Sequence, residues 1–173
     1  MSAFFLSRNF IIFIEMNVSL FRMVCIIQFA LCGYMAVNSF VYIFNAPGWH
    51  SYVSFGAFSV AVYLASFIIQ MLNKNYPDEP LSVKQKSAFN WLFVLNFFMF
   101  SLLLSYNIND VKLIIGSTKQ EIALAGPLFY AMVLLHFLIT ILQVYILVNM
   151  VKLRRALNRN FEKKSLDLDI LGS

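Results

Sequence analysis

Charged residues along this chain are confined to short stretches. Four long segments, 23–44, 52–72, 88–106 and 126–151, contain no Asp, Glu, Lys or Arg. An α-helix rises about 1.5 Å per residue, so about 20 residues cross a hydrocarbon core of roughly 30 Å. Each segment therefore predicts one membrane-spanning helix. The fold class that follows is all-α: an integral membrane bundle of four antiparallel transmembrane helices, one domain over 23–151. The flanks, 1–22 and 152–173, and the loops between spans are too short for a second domain.

The polar positions inside the spans repeat with helical spacing. Gln28, Cys32, Met35 and Ser39 form one stripe in the first span, with Asn38 beside it. The third span carries Asn90 and Asn96, both expected to be buried at membrane depth. The fourth carries His136, Thr140 and Gln143. Such stripes are expected to face the bundle interior, because an unpaired polar group in lipid costs several kcal/mol. In the second span, Ala57, Ala61 and Ala65 recur every four residues. A ridge of small residues lets a neighbouring helix approach closely, so these three are expected to pack helices.

Composition agrees with lipid as the solvent. The chain is 61% hydrophobic and 12% charged, against about half and a quarter in soluble domains. The mean hydropathy is +0.76. The net charge of +5 does not point to nucleic acid, because the basic residues flank the spans. Cys25 and Cys32 sit seven residues apart on one predicted helix, too far apart to bridge each other.

Charge also predicts orientation. Of the thirteen Lys and Arg residues, eleven lie in the N-terminal segment, the second loop and the tail. The other two, Lys112 and Lys119, fall in the third predicted loop. The positive-inside rule then places both termini in the cytoplasm of an endomembrane or plasma membrane. On that side the sequon Asn17-Val18-Ser19 would stay unglycosylated. The apolar stretch 4–14 is too short to span. It predicts a helix at the interface, unless translation starts at Met16 and residues 1–15 are dispensable. The loops are expected to be a Pro47-Gly48 turn, a segment broken by Pro77 and Pro80, and an outer loop 107–125. The apolar patch 111–115 in that outer loop is expected to lie on the membrane surface or cap the bundle.

The tail reads as a basic amphipathic helix. Leu153, Leu157 and Phe161 recur every four residues among Lys152, Arg154, Arg155, Arg159, Lys163 and Lys164. These six cations are expected to contact anionic lipids of the inner leaflet, each contributing about 1 kcal/mol. The segment after them resembles an acidic dileucine sorting signal ending at Ile170-Leu171, although Leu166 replaces the usual acid four residues before that pair.

No catalytic constellation is present: no Ser/His/Asp set, phosphate-cradling Gly loop or His/Glu metal motif is found. None of the eight acidic residues falls in a predicted span, which argues against a carboxylate-driven pump. A histidine at membrane depth is a functional-site candidate by default. His136 suits haem or metal ligation or proton relay, with Thr140, Gln143, Gln28 and Asn96 as its candidate neighbours.

Size and predicted topology resemble the small haem transporters of animals, and the Pro47-Gly48 turn and Ile170-Leu171 end fit that family. Its aromatic-Arg-Lys-Tyr tail motif and second-span histidine are not found, and Tyr63 or Phe67 stands in the latter region. The layout also resembles small four-pass proteins of the ciliary transition zone, by length and basic tail alone. The expected function is non-enzymatic: organising, trafficking or serving as a complex subunit with other membrane proteins. The alternative is a small-molecule transporter, with haem or a metal ion as cargo or cofactor.

Overall fold

Helix-breaking residues decide where the elements end. A computed structural model describes residues 17–76, 79–117 and 126–171, with side chains to 158 except at 128. It contains four long helices: α1 Val18–Asn45, α2 Trp49–Lys74, α3 Val83–Gly116 and α4 Gly126–Leu171. All four contain stretches long and apolar enough to cross a membrane. The 4–14 segment, and with it any interfacial N-terminal helix, lies outside the described residues.

The starts of α1, α3 and α4 have local causes. Asn17 caps α1, its side chain accepting a hydrogen bond from the Leu20 amide at 3.0 Å. Three residues, Ala46 to Gly48, separate α1 from α2. Ser82 and Gln85 form a reciprocal capping box at the start of α3, which satisfies two orphan backbone donors. α4 opens on Gly126 at φ +72°, a conformation that side-chain-bearing residues rarely adopt, and Pro127 follows within the first turn.

α3 corrects the expected outer loop. It runs through residues 107–116 without a break and is 34 residues long, roughly 50 Å. No Pro or Gly interrupts the chain from Val83 to Ile115, so nothing stops the helix before Gly116. The 111–115 patch is therefore helical and largely exposed, not a loop on the membrane surface.

Two apolar clusters fill the interior. One joins Cys25 of α1, Ile68 of α2, Phe89 of α3 and Leu153 of α4. The other joins Met35, Phe58, Leu103 and Ile139 from the same four helices. Residue numbers rise on α1 and α3 as they fall on α2 and α4. Each helix packs against its sequence neighbours, and α4 closes back onto α1. Outward faces carry large apolar groups such as Trp91, Phe98 and Leu134, the surface that lipid requires.

The fourth helix also corrects the expected tail. Leu153 and Leu157 are buried in the first cluster beside Leu81. That stripe packs against protein, so the helix does not lie flat on a leaflet through those side chains. Arg154 and Arg155 are exposed and Lys152 is half-buried. The side chains of Arg159, Phe161, Lys163 and Lys164 lie outside the described residues, although their backbone is helical.

Ala61 and Ala65 are each 1% exposed, while Ala57 is only partly buried. Ala61→Leu should lower stability in detergent by about 1–3 kcal/mol through overpacking. Ala57→Leu, beside an open apolar groove lined by Gly56 and Phe98, should cost less. Thermal unfolding of the two variants side by side checks the difference.

Candidate functional site

The polar positions assemble into two layers along the bundle. The deeper layer is a chain of three amides. Gln28 Nε2 of α1 donates to Gln143 Oε1 of α4 at 2.9 Å, and more weakly to the Ile139 carbonyl at 3.4 Å. Gln143 Nε2 in turn donates to Asn96 Oδ1 of α3. All three side chains are essentially excluded from solvent. At the chain's two ends, Gln28 Oε1 and Asn96 Nδ2 have no partner among the described residues. Asn90 is exposed, against the expectation that it would be buried with Asn96. Six residues advance a helix by about 600°, so Asn90 and Asn96 fall on different faces.

The second layer lies toward the end of the bundle that carries the α1–α2 turn. Asn107 Nδ2 donates to Thr140 Oγ1 at 2.7 Å, and the Thr140 hydroxyl donates to the His136 carbonyl at 2.8 Å. His136 Nδ1 donates to Asp110 Oδ2 at 2.8 Å. That bond fixes the ring's orientation and leaves Nε2 without a partner among the described residues. Tyr106 stacks on the imidazole at a centroid distance of 5.7 Å. The Tyr106 and Ser54 hydroxyls share a hydrogen bond of 2.5 Å, which ties α2 to this layer.

These groups border a half-open cavity of about 210 Å³. Ser39 and Tyr42 of α1, His50 and Ser54 of α2, Tyr106 of α3 and His136 of α4 contribute to its wall. Both histidines of the chain thus face one space. His50 sits in the first turn of α2 instead of in a loop. His136 lies about 15 Å from the start of α4, beside an open cavity and not sealed in the core. The cavity is smaller than the roughly 300–1,000 Å³ of ordinary ligand pockets, which is little room for a haem. No group of three His, Cys, Asp or Glu among the described residues is placed to hold a metal ion.

Of the candidate neighbours of His136, only Thr140 joins its layer. Gln28, Asn96 and Gln143 form the separate deeper layer. Cys25 and Cys32 are free and buried, one in each apolar cluster. Tyr63, in the region where the haem transporters carry a histidine, points outward.

Sequence reasoning passed over Tyr106, the last residue of its third span, and missed Asn107 and Asp110 because it placed them in the outer loop. The signal was present: Leu103, Asn107, Asp110 and Ile114 keep a helical spacing up to Gly116. No known family model, curated protein or solved structure matches the chain.

Gln143 is the middle link of the amide chain. Gln143→Leu strands both Gln28 and Asn96 and should destabilise the bundle by about 1–3 kcal/mol. Gln28→Leu leaves the Gln143–Asn96 bond intact and should cost less. Unfolding of the reconstituted protein in rising denaturing detergent ranks the two.

Proposed function

We propose that this chain is a non-enzymatic, organising membrane protein that holds, sorts or stabilises other membrane proteins through its tail and loops. Both termini lie in the cytoplasm. The observation that supports this reading is the closed bundle axis. The deep polar side chains bond to one another between two apolar clusters. A carrier needs such groups free for its cargo, and here each of the three amides is bonded to a neighbour.

One observation favours the alternative, a small-molecule transporter: His136 and His50 share an open cavity with five hydroxyl-bearing residues, Ser39, Tyr42, Ser51, Ser54 and Tyr106. The two readings differ in whether the core opens. The chain's two cysteines, both 0% exposed, serve as built-in reporters. In sealed proteoliposomes a membrane-impermeant maleimide should label neither Cys25 nor Cys32, and both should react after denaturation. Labelling of Cys32 in the folded protein would show a core that opens, and the transporter reading would replace the organising one.

The organising role places the action in the tail. A protein lacking residues 166–173, with its C-terminal tag kept, should leave its normal membrane, whereas His136→Ala should not. Fluorescence localisation of the full-length, truncated and His136→Ala proteins checks this. Unchanged localisation on truncation would remove the sorting role from Ile170-Leu171.

A further inference from the structure

A cavity larger than the one beside His136 opens elsewhere in the bundle. A laterally open groove of about 630 Å³ runs between α1 and α4. Its walls are Leu20, Ile141, Val144 and Val148, and its polar end holds Asn17 and Lys152. From Ile141 to Lys152 the helix rises about 16 Å, close to half of a hydrocarbon core of roughly 30 Å. The groove is thus about one leaflet deep and apolar along its length, with an ammonium where headgroups begin.

Among the described residues, the charges next along α4 are positive. Arg154 and Arg155 follow Lys152 and are exposed. The N-terminal end of α1, with its partial positive charge, opens beside the same polar end. Asn149 also lines the groove, but its amide donates to the Tyr145 carbonyl at 2.9 Å. Lys152 is therefore the charged group left to meet a ligand there.

From this charge complementarity and depth, we infer that the groove is a binding site for one anionic phospholipid. An acyl chain lies along Leu20, Val144 and Val148, and the phosphate sits on Lys152. The site rests on the proposed orientation, because anionic lipid is concentrated in the cytoplasmic leaflet. It does not depend on whether the bundle organises or transports.

Native mass spectrometry of the full chain in mild detergent tests the inference. The probes are phosphatidylserine and phosphatidylcholine with identical acyl chains. One phosphatidylserine per chain should be retained in preference to phosphatidylcholine. Lys152→Gln should cut that preference about fivefold, the equivalent of the roughly 1 kcal/mol a juxtamembrane lysine contributes. Arg154→Gln, next to it but not lining the groove, should change it much less. Val148→Trp fills the groove from a half-exposed, lipid-facing position and should lower retention of both lipids.

Four results would overturn the site. Equal losses in Lys152→Gln and Arg154→Gln would mean diffuse attraction to the basic face. Unchanged retention in Val148→Trp would place the lipid elsewhere. Competition by soluble glycerophosphoserine as strong as by the whole lipid would mean an anion site without an acyl groove. Retention that rises sharply on deletion of residues 1–15 would mean that the chain's own N-terminal segment occupies the groove. The maleimide labelling above is independent of all four, so failure of this site and failure of the organising role are told apart.

Discussion

Lipid offers a polar side chain no hydrogen-bond partner, so in this bundle polar groups at depth must find one another. The Gln28–Gln143–Asn96 chain is how three helices meet that demand at once. Hydrophobicity cannot align them, because the surrounding tails are as apolar as the side chains. The amide chain supplies direction. It links particular residues of α1, α3 and α4, and so opposes the sliding or rotation of one helix past another. The clusters on either side then pack in a register already chosen.

Close packing completes what the amides begin. α2 takes no part in the amide chain and is held by other means. Its Ala61 and Ala65 are buried, and α2 packs most extensively against α1. Ser54 adds a polar tie to Tyr106 of α3. The bundle thus combines a polar seam through three helices with a small-residue seam on the fourth. The polar layers are imperfect, since Gln28 Oε1 and Asn96 Nδ2 of the amide seam and Asn107 Oδ1 of the second layer have no partner among the described residues. Each unfilled atom costs stability, so the apolar clusters must offset that loss.

The spans were legible because lipid imposes a length and excludes charge. Local runs of apolar residues carry that information, and all four segments sit in helices. The inward stripes of α1 and α4 were legible through their helical spacing. Gln28, Cys32, Met35 and Ser39 are all buried. The His136 site was only half legible. The uncharged apolar run ends at Tyr106, yet a helix ends only where a breaker or cap stops it. Asp110 and Lys112 mark where charge resumes, whereas Gly116 marks the limit of α3. Partner choice was also hidden. Spacing shows that Gln143 and Thr140 face inward, but not that one meets Gln28 and the other Asn107. That depends on the relative height of the helices, which local sequence does not encode. Leu153 and Leu157 show the same limit, since their stripe reads alike whether it lies on lipid or on protein.

The two ends of the molecule are chemically unlike, and this follows from where α3 and α4 outrun the hydrocarbon. At one end α3 carries Asp110 past the apolar stretch, where it orients His136 beside a cavity rich in hydroxyls. Buried alone in lipid, that carboxylate would be costly. Paired and at the rim, it is tolerated. At the other end α4 continues beyond its apolar stretch, burying Leu153 and Leu157 while presenting Arg154 and Arg155 outward. The helix that extends the core therefore also carries the basic face. Replacing those arginines would change the electrostatics of that end without touching the packing, and replacing the leucines would do the reverse. The proposed organising role would draw on this separation, because surface charges can change while the bundle that positions them stays intact.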